Sequence, residues 1–347
     1  MIQKDMRISI LGGILILCGA ARLFLNGESQ PPVPPSPKNI LEASRYNFSA
    51  GGQSLIVMCN GQVLHESYAN GGGAQTYQLL ASATKGFVGM IGAMAADDGL
   101  IEFDEPVSHV LWEWQDDPWK SRITYRHLLT MTSGLEELHD VTSWEDFLEA
   151  KALHPPGTVF NYAADPNIFG LALQRKLGGE SVESYMNRRL FQPLGIAIRW
   201  AGGFEDGNPQ LSGGAYAKPG EWIKFGEFVR LMFAGAWPGP RLVSAENFQE
   251  VFRGTSANPA YGFYWWLKEP ISESLVDEIL QIERHIWAII QAPWVPDDFV
   301  MAAGAYEQRL YVIPSRGVVV VRNGPKSAAG QFLDIYFLLL LLGGFPL

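Results

Sequence analysis

Charge is scarce in this sequence. Of its 347 residues only 18% are Asp, Glu, Lys or Arg, below the roughly 25% ordinary for soluble domains. The 26 basic residues are outnumbered by 36 acidic ones, for a net charge of −10, and they form no stripe along the chain. An electrostatic grip on phosphate backbones is thereby excluded, and nucleic acid with it. Cysteine is limited to Cys18 and Cys59, too few for a disulfide framework. Cys59 ends the apolar run Leu55-Ile56-Val57-Met58-Cys59 and reads as a small core hydrophobe. The six histidines, His65, His109, His127, His139, His154 and His285, never fall two or four residues apart, so no zinc-type motif exists and no metal or cofactor is expected. A G-x-S-x-G nucleophile elbow is also missing, which excludes an α/β-hydrolase. What is present is apolar: 47% hydrophobic residues and 11 tryptophans, in a chain long enough to bury a full core as two domains or one large α/β domain.

The chain divides unevenly. Lys4 and Arg7 precede an apolar run from Ile8 to Leu25 broken only by Arg22, so residues 1–30 are expected to be a signal peptide or N-terminal membrane anchor. Gly19-Ala20-Ala21 suits a signal peptidase. A lipoprotein site at Cys18 ranks behind, because Leu17 is bulky where a small residue is needed. The expected location is exported, periplasmic or membrane-anchored. Pro31-Pro32-Val33-Pro34-Pro35-Ser36-Pro37 reads as a stiff spacer over 31–45, ahead of a folded body at 46–347. There, Ser54–Cys59 and Gln62–Tyr68 flank Asn60-Gly61 and predict a hairpin. Ser82–Ala96 predicts a buried helix with glycines at 86, 89 and 92. A helical insertion is expected over about 103–235. Strands are expected at Glu307–Ile313 and Val318–Arg322, and the closing helix with Phe337–Leu342, too short to span a bilayer, should rest on the sheet. Ile271–Ile290 reads as an amphipathic helix, with Leu275, Ile279, Ile282, Ile286 and Ile290 on one side, expected to border the active-site mouth; a surface helix over an apolar edge has equal weight.

Within the buried helix Lys85 is the only charged side chain before Asp97. A buried ammonium costs several kcal/mol unless it is paired or loses its proton. Ser82 stands three residues earlier, on the same helical face. A serine beside a desolvated lysine at a helix N-terminus makes an activated nucleophile. The bland reading has Ser82 capping the helix and Lys85 reaching to water, and on Ser-x-x-Lys alone it would win.

Further motifs tip the balance the other way. Ala81-Ser82-Ala83-Thr84-Lys85-Gly86-Phe87 resembles the nucleophile segment of the serine β-lactamase-like, penicillin-binding-protein-like hydrolases, which include class C β-lactamases, family VIII esterases and 6-aminohexanoate-dimer hydrolase. Asp98–Val107, Thr124–Leu135, Pro156–Tyr162, Leu190–Gly195, Tyr261–Trp266 and Ala303–Pro314 are similar to later family landmarks, in family order. The resemblance implies an α/β (α+β) β-lactamase/transpeptidase-like fold: an antiparallel sheet flanked by N- and C-terminal helices, with a mostly helical inserted subdomain. It implies Ser82 as the acylated nucleophile, Lys85 as its proton partner, and Tyr162 as second acid or base. A tyrosine ordinarily titrates near 10, so that base role asks for a nearby cation. The oxyanion would be held by the backbone N–H groups of Ser82 and Ala305, with Gly304, Tyr306, Trp265 and Trp266 as substrate-binding candidates. Two departures stand out. Tyr162-Ala163-Ala164 replaces Y-x-N, and Ala302-Ala303-Gly304 replaces K-T-G, removing the groups that hold a β-lactam's acylamino and carboxylate ends. The implied substrate is a small-molecule or peptide-like ester or amide. The alternatives are a D,D-peptidase or class C-like β-lactamase, and, from another class, a non-catalytic binding module.

Overall fold

Asn60 and Gly61 both take positive φ, +49° and +79°, the geometry of the tight turn that matches strand twist. They join strands β1 (Ser54–Cys59) and β2 (Gln62–Tyr68). The computed structural model describes residues 33–200, 203–282 and 284–343. Cys18 and the signal or anchor segment therefore lie outside the described residues, as do the side chains of 278–284, including Ile279 and Ile282. No helix among the described residues is long and apolar enough to cross a membrane.

Helix α1 (Pro37–Ser49) begins inside the expected spacer, a correction to the 31–45 reading. Proline is tolerated at a first helical position because the N–H it lacks would have no partner there, and the Ser36 hydroxyl caps the helix by accepting from the Asn39 N–H at 3.1 Å. After β1 and β2 come β3 (Gln78–Leu79) and α2 (Lys85–Asp97). The next stretch holds α3 (Tyr125–Leu129), α4 (Asp165–Lys176), α5 (Val182–Met186), α6 (Gln192–Leu194), β4 (Arg199–Trp200), β5 (Ala215–Ala217) and α7 (Pro219–Phe233). Last come α8 (Ala245–Val251), β6 (Trp266–Leu267), α9 (Glu273–Ile282), α10 (Arg284–Gln291), β7 (Val300–Gly304), β8 (Gln308–Ile313), β9 (Val318–Asn323) and α11 (Asp334–Leu342).

Six strands form an antiparallel sheet in the order β2-β1-β9-β8-β7-β6. Helices cover both faces, so its central strands are buried along their whole length: every residue of β1, β8 and β9 is inside. Alternation assigns the faces. Leu310 points to α7, close enough that a Cβ on Gly226 would stand 2.6 Å from it, while its neighbour Tyr311 stacks on Phe337 of α11, centroids 6.0 Å apart. The closing helix thus rests on the sheet and on α1.

The 103–235 stretch is not purely helical. It contributes β4 and β5 to a small sheet ordered β3-β5-β4, and α7 belongs to the main sheet's own face. Two tryptophans there find a place: Trp114 is buried and donates to the Leu148 carbonyl at 3.0 Å, and exposed Trp112 carries the Arg175 guanidinium 4.2 Å from its ring centroid. Helix α2 is buried from Lys85 to Ala95, and its glycines explain how it fits. A Cβ on Gly89 would lie 2.0 Å from the Phe263 carbonyl oxygen, and one on Gly92 2.9 Å from Leu129.

Candidate active site

Ser82 lies in a single 3-10 turn, Ala81–Thr84, and the α-helix proper starts only at Lys85. The turn is forced. Ala81 has φ +47°, a left-handed conformation that costs a residue with a Cβ on the order of 1 kcal/mol. It is held from two sides. The Leu80 N–H donates to the Ala215 carbonyl at 2.9 Å, and the Ala215 N–H to Thr84 Oγ1 at 3.2 Å, tying the turn to β5. On the other side the end of β7 presses against it. A Cβ on Gly304 would fall 2.1 Å from the Leu80 carbonyl oxygen and 3.1 Å from the Ser82 nitrogen, so only glycine lets the strand come this near.

Lys85 is 2% exposed. Its Nζ donates to Ser82 Oγ at 3.0 Å and to the Ser212 carbonyl at 2.6 Å, and sits 4.6 Å from the centroid of the Tyr162 ring. Two hydrogen bonds and an aromatic face thus meet the desolvation of the amine.

Tyr162 is positioned by the union of two sequence motifs. The Gly157 N–H donates to the Thr132 carbonyl at 2.7 Å, the Asn161 N–H to the Met131 carbonyl at 2.9 Å, and Asn161 Nδ2 to the Leu135 carbonyl at 2.6 Å. The Thr-Ser-Gly and Pro-Gly-Thr segments are therefore one structure, and Gly134, with φ +78°, is where they cross: a Cβ there would be 2.3 Å from the His154 carbonyl oxygen. Behind Tyr162 lies Asp165, fully buried, accepting from Ser133 Oγ at 2.8 Å. Burial pushes its carboxyl up to about 8, opposed only by the Ser133 hydrogen bonds. Burial likewise raises the Tyr261 and Tyr264 hydroxyls well above the usual tyrosine value, with Tyr162 as a further cause for both and Asp165 a larger one than Tyr162 for Tyr264.

Ser82, Lys85, Tyr162, Ala305 and Tyr306 all line one cavity of about 400 Å³. Gly304 is not among the described lining residues; it presses on the Ser82 turn. Trp265 and Trp266 do not reach it. Trp265 is fully buried, its indole donating to the Gly86 carbonyl at 3.3 Å, and Trp266 packs on Tyr261, centroids 4.7 Å apart; both are support for the site rather than substrate contacts. The 271–290 segment forms two helices, and none of its described residues lines the cavity whose mouth it was expected to border. Ile286 and Ile289 are buried, and His285 Nδ1 lies 3.2 Å from Asp334 on α11, so α10 packs beside α11. The lining draws instead on two groups, Glu137, Leu138, Val141 and Phe147, and Gln210 and Ser212. The small-residue run Ser212-Gly213-Gly214 was the available signal for the second group; nothing in the first group's sequence marks it.

A family model described as Beta-lactamase matches residues 45–339. The chain belongs to the Beta-lactamase family. Among curated members it is 30% identical over 149 residues to a β-lactamase from Yersinia enterocolitica, a match spanning 38% of each chain, so less than two-fifths of that relative's length is matched. Among solved structures it resembles a candidate 6-aminohexanoate-dimer hydrolase from Bacillus anthracis, with TM-score 0.66 and 18% identity over 84% of this chain and 79% of that one. It is similar as well to EstCE1, a hydrolase with promiscuous acyltransferase activity, with TM-score 0.67 and 16% identity over 88% and 97% of the two chains. At such identities these structures establish the fold: mixed α/β, an antiparallel sheet with flanking helices. Ala302 and Ala303, which precede Gly304, are both buried in β7. Lys85 is the only cationic side chain among the described residues of the cavity lining.

Proposed function

We propose that this protein is a serine hydrolase that cleaves an ester or amide through a covalent acyl-enzyme on Ser82. The observation that carries the proposal is the buried Lys85 amine, in hydrogen-bond contact with Ser82 Oγ and facing Tyr162 inside a cavity. Ser82 Oγ attacks the substrate carbonyl carbon, and Lys85 and Tyr162 move the released proton to the leaving group. The developing oxyanion is met by the N–H groups of Ser82 and Ala305, a pairing supported by the close approach of Gly304 to the Ser82 turn. The tetrahedral adduct collapses, the C–O or C–N bond breaks, and the protonated alcohol or amine departs. Water then adds to the acyl carbon, giving its proton back through the same two side chains, and the carboxylic acid leaves Ser82.

Lack of a second cation among the described lining residues supports a substrate without the carboxylate of a β-lactam, as does the alanine pair in β7. The test is a panel of p-nitrophenyl esters, linear amide oligomers, D-Ala-D-Ala peptides and nitrocefin, run on wild type and Ser82→Ala, with mass spectrometry after a fluorophosphonate. Ester or amide turnover that is lost in Ser82→Ala, with an adduct on Ser82, is expected. Rapid nitrocefin turnover would move the protein to the β-lactamases, and the absence of any adduct would make it a binding module.

A further inference from the structure

The peptide bond between Gly304 and Ala305 has two ends. Its N–H belongs to Ala305, the second oxyanion donor in the function proposed above, on which this inference rests. Its C=O belongs to Gly304, and in a planar trans peptide the two point in opposite directions, so whatever fixes the carbonyl aims the N–H. The Gly304 carbonyl accepts from Arg309 Nη1 at 2.9 Å, and the same nitrogen donates to the Gln308 carbonyl at 3.1 Å. Arg309 is 2% exposed and is itself anchored on fully buried Asp334, through Nε at 2.7 Å and Nη2 at 3.2 Å. Asp334 also accepts from the Tyr311 hydroxyl and faces His285. Burial alone would raise its carboxyl, yet Arg309, His285 and Tyr311 together hold it below the ordinary carboxylate value. The anchor is therefore an anion and the clamp a two-point ion pair.

The turn that follows needs a clamp. Tyr306 and Glu307 both have positive φ, +63° and +52°, so the backbone after Ala305 is held in a conformation that residues with side chains avoid. A second buried guanidinium, Arg322, donates to the carbonyls of Tyr306 at 3.2 Å and Glu307 at 2.7 Å.

We infer that Arg309 is a positioning residue for catalysis: by gripping the Gly304 carbonyl it aims the Ala305 N–H at the site of oxyanion formation. The guanidinium also polarises that amide, which strengthens the N–H as a donor. Lysine at this position keeps the charge but has a single nitrogen, unable to fork onto Asp334 and reach Gly304 together.

The experiment compares wild type with Arg309→Lys on p-nitrophenyl acetate and on inhibition by phenylboronic acid, whose tetrahedral Ser82 adduct places an oxygen where the oxyanion forms. Loss of a complete donor costs about 10²–10³ in rate, so a misaimed one is expected to lower kcat about 10- to 100-fold, leave KM within about twofold, and weaken the boronate by the same factor as kcat. A fall in kcat with boronate affinity unchanged overturns the inference in favour of a general structural role, as does an unaltered kcat. Should Arg309→Lys not fold, Asp334→Asn, which removes the anchor charge while keeping its shape, is held to the same paired loss. If wild type forms no Ser82 adduct, the catalytic reading itself falls, a result distinct from any outcome for the variants.

Discussion

Lys85 Nζ lies nearer to the Ser212 carbonyl oxygen, at 2.6 Å, than to Ser82 Oγ, at 3.0 Å. The amine is thus tethered by a backbone group that no side-chain substitution can delete, and its approach to the serine depends on where the 210–214 loop sits. That loop is held in turn by Asn167, whose Oδ1 accepts from the Leu211 N–H at 2.9 Å.

Lys85→Met, which fills similar volume without the amine, is expected to lower ester turnover by about 10²–10⁴-fold, the usual worth of a positioned acid or base. Its thermal stability should equal or exceed that of wild type, since a desolvated polar group has been removed. Steady-state kinetics alongside calorimetric melting would check both halves; a variant that keeps its rate refutes the proton role.

Asn167→Ala is expected to release the Leu211 amide, costing about 1–3 kcal/mol in stability as a buried donor loses its partner. Turnover should fall as well, because the Ser212 carbonyl is no longer fixed. Urea unfolding and kcat measured on the same preparation would show the loss of stability without loss of rate if the loop does not tune Lys85.

Gly304→Ala places a methyl group against backbone, with the Leu80 carbonyl 2.1 Å away. Overpacking of this kind costs about 1–3 kcal/mol. Here it should also push β7 off the nucleophile turn and cut kcat by more than tenfold. Soluble, cooperatively melting protein with wild-type kcat would contradict the close approach.

Asp165 gives a pH signature. Its carboxyl moves from an ordinary 3.8 up to about 8 on burial. Between those values the unfolded chain gives up the proton while the folded one keeps it, so stability falls as pH rises, by at most about 1.4 kcal/mol per pH unit. Asp165→Asn has no proton to lose and should melt with a flatter dependence between about pH 5 and about pH 8. Parallel curves for the two proteins would show that the carboxyl is not held neutral.

Acyl-chain preference should respond to Leu138 and Val141, which line the cavity, and not to the helices of 273–291. Leu138→Ala is expected to shift relative rates across p-nitrophenyl esters of increasing length. Ile286→Ala should leave that profile intact while costing about 2–5 kcal/mol for the cavity it opens. The opposite pattern would return the helices to the mouth.

What could be read from sequence follows from how local each signal is. The Asn60-Gly61 hairpin, the closing strands and the Ser82 to Lys85 spacing are set by neighbouring residues, so the chain displays them directly. Fine boundaries shift where tertiary contacts take over: the helix expected from Ser82 starts at Lys85, since β5 and Gly304 tighten the turn before it. The spacer ends early because prolines suit a helix start as well as an extended segment. Trp265 and Trp266 are near the site in the chain, but alternation along β6 and its lead-in sends their rings beneath α2 and toward Tyr261. Glu137 and Leu138 carry no visible signal, and Ser212 only the small-residue run it begins, because their importance comes from loops that meet only after folding.

The sheet order places β1, from one end of the body, beside β9, from the other, with β8 and β7 following outward. The serine therefore waits for its partner. Ser82 leaves the ribosome about two hundred residues before Gly304 and Ala305, and the arginines that shape the 304–308 turn arrive later still. A chain stopped before residue 304 carries Ser82 and Lys85 while lacking Ala305 and Tyr306 of the pocket lining, so the hydrolysis proposed above has to wait until those residues have been made.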